Sequence, residues 1–149
     1  MSFFTDFIIA DPSDAPQVAL AIEAEGTPVG AWSGFSVNSV NDLDLANLYA
    51  LLRDGPGARG AMALAEEFTG LHRAEEGPSV QLVPPAFVGL LAALPDERRL
   101  PVAALWSEAD EFGRLTDPAD LKELIGQLCE LARQAAGEGK SMLLCVSGV

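Results

Sequence analysis

The chain has 149 residues, of which 49% are apolar and 21% are charged, and its net charge is −13. This composition predicts a single globular domain over residues 1–149 and excludes a mainly disordered chain. The acidic excess argues against binding to nucleic acid or to an anionic membrane, because both require a basic protein surface.

The chain begins with a predicted strand and a predicted helix. Phe3–Ile9 is short, aromatic and β-branched, which favours a strand buried on both faces. A helix capped by Ser13 follows and ends at Gly26. Residues 26–40 are uncharged and rich in glycine and serine. They predict an irregular loop, with a short strand near Phe35–Val37.

The middle of the chain predicts two helices and a second strand. Asn41 caps the first helix, and Asp44 at its third position is typical of a capping box. The buried stripe of this helix has helical spacing and consists of Leu45, Leu48, Tyr49 and Leu52. A helix over Ala58–Phe68 follows. Ser79–Val83 then alternates between apolar and polar residues, which predicts a strand.

The rest of the chain predicts three helices and a terminal strand. The first of these helices starts at Pro84-Pro85, and the second covers Leu100–Phe112. The third begins after its cap, Asp117. Ser141–Val146 is the final apolar strand. Together the elements predict an α+β fold: a helix-rich single domain with a sheet of three to four strands that contains both terminal strands.

The two cysteines, Cys129 and Cys145, lie within apolar periodic segments. Buried cysteine behaves as a small hydrophobic residue, so we expect two reduced thiols in a cytoplasmic protein. A disulfide between them is the alternative, because sequence spacing does not decide the pairing. The N-terminus has no basic segment of the kind found in signal peptides, which also favours the cytoplasm.

Two short motifs bear on cofactors and catalysis. Gly55–Gly60 matches G-x-G-x-x-G, but a nucleotide site needs this loop between a strand and a helix, and here a helix precedes it. We interpret it as a connection between helices and expect no cofactor. Gly34–Asn38 is similar to a nucleophile elbow, except that Asn38 replaces the second glycine.

Glu108 and His72 are the candidate catalytic residues. Glu108 lies beside the apolar stripe of its helix, where partial burial would suit a carboxylate to acid or base chemistry. His72 is the only histidine. Four carboxylates surround it in sequence, and we interpret them as a solvated surface in preference to a metal site: Glu66, Glu67, Glu75 and Glu76.

The first 52 residues contain seven acidic residues and no lysine or arginine. Trp32 lies among them, either as an anchor for its loop or as an exposed contact residue. We predict a binding surface for a basic protein, formed by Asp11, Asp14, Glu23, Asp42 and Asp44 around Trp32. The predicted function is a non-enzymatic protein-binding module. The alternative is a small enzyme or ligand-binding domain with a carboxylate and histidine pocket.

The end of the chain is a long helix, from Leu124-Ile125-Gly126-Gln127-Leu128 onward, that turns into the apolar strand Met142-Leu143-Leu144-Cys145-Val146. With the opening strand and the acidic first third, this arrangement resembles the YfbM-like small bacterial proteins. The resemblance implies a one-domain α+β fold and no established activity, and it carries over no functional residues.

Overall fold

The structure, a computed structural model, describes residues 3–57, 60–73, 77–109 and 117–148. The strands are β1 (Phe3–Ala10), β2 (Gly34–Asn38), β3 (Thr69–Arg73), β4 (Ser79–Leu82) and β5 (Ser141–Gly148). The helices are α1 (Ala15–Glu25), α2 (Asp42–Asp54), α3 (Ala61–Ala65), α4 (Pro85–Ala93), α5 (Arg99–Ala109) and α6 (Pro118–Glu138).

All of the described strands form one antiparallel sheet in the order β2-β1-β5-β4-β3. The C-terminal strand β5 is central, and it pairs with β1 from Phe3↔Gly148 to Ala10↔Ser141. The predicted α+β class and the inclusion of both terminal strands are therefore confirmed. The predicted number of strands is wrong, because the sheet has five strands and not three or four.

Strand β3 accounts for the difference in strand number. It follows α3, which ends at Ala65, whereas the sequence pattern predicted a helix as far as Phe68. Strand β3 lies at the edge of the sheet, is mostly exposed or half-buried, and is interrupted by a bulge between Gly70 and His72. An exposed, bulged strand shows no regular apolar alternation, so the pattern gives no signal for it.

The alternation of side chains along β1 and β5 separates the core into two parts. One face of the sheet, here called the α1 face, carries a cluster that α1 covers: Ile8, Ala10, Leu143 and Cys145, with Ala15, Val18, Ala19 and Ile22 of the helix. The opposite face carries Phe7, Ile9, Met142 and Leu144, which pack against residues of α2, α4, α5 and α6. Of the described helices, α1 therefore covers the α1 face, and α2, α4, α5 and α6 cover the other.

Helix α2 begins with the predicted capping box. The Asp44 backbone N–H donates to Asn41 Oδ1 at 2.9 Å, and the Asn41 N–H donates to Asp44 Oδ2 at 3.0 Å. The fully buried Trp106 of α5 donates from Nε1 to the Asp44 carbonyl oxygen at 2.9 Å. These bonds connect the start of α2 to α5 on the side of the sheet opposite α1.

Cys129 and Cys145 are free and buried, as predicted. They lie in the clusters on opposite faces of the sheet, so the alternative of a disulfide between them is wrong. Burial raises the pKa of both thiols. Within the described parts of the chain, no helix is both long enough and apolar enough to cross a membrane.

Candidate functional site

Four of the N-terminal carboxylates lie on or beside α1. Asp11 precedes the short 3-10 turn Pro12–Asp14, Asp14 is the last residue of that turn, and Glu23 and Glu25 lie in the last turns of α1. All except the half-buried Asp14 are exposed. We call the outer side of residues 11–33 the α1 surface. No lysine or arginine occurs in this part of the chain.

Asp42 and Asp44 do not belong to the α1 surface, because α2 packs on the opposite face of the sheet. Asp44 is 3% exposed, because its carboxylate caps α2. The prediction that Asp44 contacts a partner is therefore wrong. Asp42 is half-buried, and its Oδ2 accepts a hydrogen bond from Gln81 Nε2 at 3.3 Å. The predicted surface is therefore divided between the two sides of the sheet.

Trp32 combines the two roles considered for it. It is half-buried and packs, together with Val29, against the cluster of the α1 face. Its backbone N–H donates to the Pro28 carbonyl oxygen at 3.2 Å, and Gly30 has the positive φ that the turn requires, at 110°. Trp32 thus anchors its loop while the residue remains partly exposed within the α1 surface.

Asp6 is a buried carboxylate that was not among the predicted site residues. It lies in β1 and is 2% exposed. Its Oδ1 accepts hydrogen bonds from Thr27 Oγ1 at 2.9 Å and from Ser36 Oγ at 2.5 Å. Its Oδ2 is also buried and accepts no hydrogen bond from the described residues. Cross-strand pairing places Asp6 between Ser36 and Cys145 on the α1 face.

Asp6 lines a small pocket of about 200 Å³ between the end of α1 and the edge strand β2. Phe4, Thr27, Ser36 and Asn38 are among the other residues that line it. The ring of Phe4 is half-exposed, and Phe4 and Asp6 are two residues apart on one strand, so their side chains share a face. The pocket thus combines a carboxylate, two hydroxyl groups, an amide and an aromatic ring.

His72 borders a larger cleft, of about 440 Å³, between the β3–β4 hairpin and the start of α2. The cleft is lined by Asn41, Asp42, Phe68, Gly70, His72, Arg73, Ser79, Gln81 and Val146. The structure therefore brings together His72 and Asp42, which are distant in sequence. The cleft offers a small polar molecule the negative carboxylate of Asp42 and the positive guanidinium of Arg73.

Glu108 is exposed near the end of α5 and lines neither this cleft nor the pocket at Asp6. The partial burial expected for it is therefore wrong. Of the carboxylates around His72, Glu66 and Glu67 are exposed, and Glu75 and Glu76 lie outside the described residues. Within the described ranges, no group of three or more histidine, cysteine, aspartate or glutamate side chains is arranged to hold a metal ion.

Comparison with known proteins found no matching family model, no matching curated protein and no matching solved structure. The resemblance of the C-terminal helix and strand to the YfbM-like proteins therefore remains a prediction.

Proposed function

We propose that the protein binds a basic protein through its α1 surface. The observation that supports this proposal is the residue composition of the surface. It is built from a segment that contains no lysine or arginine, and its exposed carboxylates accompany a half-exposed tryptophan. Carboxylates gathered on one side of a molecule attract a basic partner and raise its association rate.

Apolar groups on the same surface would supply affinity, because exposed charges alone contribute little. Leu20 of α1 is 63% exposed, and it is one helical turn from Glu23, so the two side chains are neighbours on the outer side of the helix. Trp32 offers the uncovered part of its indole. An apolar centre bordered by a polar, solvent-accessible rim is the usual arrangement of a protein interface.

The test begins with affinity capture from the native cell lysate at low and high salt, followed by association kinetics with the captured protein. Glu23→Lys should slow association by about tenfold and weaken its salt dependence, because steering acts over a Debye length of about 8 Å. Glu130→Lys is the matched control: it makes the same charge change at an exposed position of α6, on the other side of the sheet. An equal effect of both variants, or no protein retained at low salt, would contradict the proposal.

Leu20→Ala should speed dissociation by about fivefold, which corresponds to the loss of roughly 1 kcal/mol of apolar contact. Leu100→Ala on α5 is the matched control, because Leu100 is 49% exposed on a helix of the opposite face. Its dissociation rate should stay within about twofold of the original, since surface contacts outside an interface contribute little. Equal dissociation rates for the two variants would place the contact elsewhere.

A second candidate function is binding of a small polar molecule in the cleft that contains His72 and Asp42. The observation in its favour is that one cleft holds both side chains. A fragment screen monitored through the His72 ring protons tests it. Hits that Asp42→Asn abolishes and Asp120→Asn, at an exposed position of α6, leaves unchanged would support this function. Hits that bind equally well to Asp42→Asn would contradict it.

A further inference from the structure

Asp6 has one carboxylate oxygen, Oδ2, that is buried and accepts no hydrogen bond from the described residues. Buried polar atoms in folded proteins nearly always have a hydrogen-bonding partner, and a buried carboxylate without one is costly. Here Oδ1 accepts from both Thr27 and Ser36, and Oδ2 accepts from none of the described residues. One oxygen of the carboxylate is therefore without a donor among the described residues, which marks it as a candidate binding atom.

Among the described residues, no lysine or arginine forms an ion pair with Asp6. The described ion pairs, Arg53–Asp54 and Arg99–Asp96, involve other carboxylates. Cys145, the neighbour of Asp6 on β5, is a neutral thiol: burial, and secondarily the charge of Asp6, raises its pKa to about 12. A cation would thus be the complementary ligand for Asp6.

The shape of the pocket favours a cation on an alkyl chain. Phe4 is half-exposed on the same face of β1 as Asp6, at a spacing of about 7 Å along the strand. An exposed aromatic ring in the lining of the pocket suits the methylene groups of a lysine side chain. The volume of about 200 Å³ is sufficient for one such side chain and small for a larger ligand.

We propose that this pocket binds a primary ammonium group, that of a lysine side chain from the basic partner, with Asp6 as its counter-charge and Phe4 beside its methylene chain. The inference rests on the proposed function and assigns its central contact. Ammonium has three donors, which match Asp6 Oδ2, Ser36 Oγ and the Asn38 side-chain oxygen as acceptors.

An ammonium group fits Asp6 better than a guanidinium group does. Arginine pairs with a carboxylate through two parallel hydrogen bonds, which use both of its oxygens. Oδ1 of Asp6 already accepts two hydroxyl groups, so that only one oxygen is free. A compact point charge needs one free acceptor, and this difference predicts a preference for lysine over arginine.

The probe is N-acetyl-lysine N-methylamide, titrated into the full chain and followed by two-dimensional ¹H–¹⁵N NMR. We expect shifts at Phe4, Asp6, Thr27 and Ser36, and at least about threefold weaker binding of the arginine analogue. The norleucine analogue, which has no charge, should cause no shifts there. Equal binding of the lysine and norleucine compounds, or shifts produced at the same residues by K⁺ in place of the lysine compound, would overturn the proposal.

Variants locate the contact. Asp6→Asn should weaken binding of the lysine compound by about tenfold or more, because it removes the charge from a buried hydrogen bond. Asp11→Asn makes the same change at an exposed site of the α1 surface and should change binding less than about twofold. Phe4→Ala should weaken binding by about threefold and carries the test if Asp6→Asn does not fold. Unchanged affinity in Phe4→Ala and Ser36→Ala would overturn the inference.

Two variants distinguish binding through the pocket from binding through the α1 surface. If Glu23→Lys slows association of the captured partner while Asp6→Asn leaves its dissociation rate unchanged, the α1 surface binds the partner without the pocket. The proposed function then stands, and the ammonium site is wrong.

Discussion

Asp6 of β1 and Cys145 of β5 are directly paired across the sheet, and both side chains lie on the α1 face. The thiol is fully buried, and the carboxylate adds to the effect of burial on its pKa. A negative charge beside a buried thiol disfavours the thiolate, so Cys145 holds its proton at neutral pH.

The raised pKa of Cys145 predicts a loss of stability in alkaline solution. The pKa rises from 9.0 to about 12 on folding, so the folded state holds the proton more tightly than the unfolded state. The resulting stability is complete below about pH 9 and decreases between about pH 9 and 12, by at most about 1.4 kcal/mol per pH unit. Urea unfolding at pH 7, 9 and 10.5 measures it. Cys145→Ala should show a shallower decrease, whereas the same pH dependence in both proteins would contradict the assignment.

Thr5 makes a reciprocal pair of buried hydrogen bonds with Val40. Its Oγ1 donates to the Val40 carbonyl oxygen at 2.6 Å and accepts from the Val40 N–H at 3.1 Å. Thr5→Val keeps the volume but leaves both backbone groups unpaired, so it should lower the free energy of unfolding by about 2 kcal/mol. Thr69→Val, at an exposed position of the edge strand, should change it by less than about 0.5 kcal/mol. Chemical denaturation of the two variants compares these values directly.

Gly34 allows β2 to approach β1 closely. A Cβ atom at this position would overlap the Phe7 carbonyl oxygen and lie 2.9 Å from Ile8 Cα. Both are backbone atoms that cannot rotate away, so Gly34→Ala should destabilise the protein by about 3 kcal/mol or displace β2. Gly89→Ala in α4 has free space and should leave stability unchanged or raise it by up to about 1 kcal/mol. Thermal melts of both variants measure the difference. Equal melting temperatures would contradict a close approach of β2 to β1 at Gly34.

The capping box of α2 predicts a measurable cost for Asn41→Ala. The substitution removes the acceptor for the Asp44 N–H, which should lower the free energy of unfolding by about 1 kcal/mol. Asn47→Ala, in the interior of the same helix, should be neutral or stabilising, because alanine has the higher helix propensity. Equal destabilisation of the two variants in urea unfolding would show that the cap contributes nothing.

The elements with strong local signals were predictable from the sequence. Strands β1 and β5 are mostly apolar, and α2 and α6 have clear caps and apolar stripes. The capping prediction for Asp44 in fact conflicts with its prediction as a surface acid, since a carboxylate that caps a helix is already occupied.

The remaining features depend on contacts between distant parts of the chain. The burial of Asp6 follows from its position between β2 and β5, and β3 exists because β4 pairs with it at the edge of the sheet. One signal was available for Asp6: a charged residue in the middle of the otherwise apolar run Phe3–Ile9. A lone carboxylate in a buried strand indicates a polar site on that strand.

Hydrogen–deuterium exchange of the protein, alone and with the captured basic partner, shows which surface the partner covers. A partner on the α1 surface slows exchange in residues 11–38, which include α1, the Trp32 loop and β2, and causes no change in α6 at 118–138. Protection confined to α6, or to the cleft between the β3–β4 hairpin and the start of α2, would contradict binding through the α1 surface.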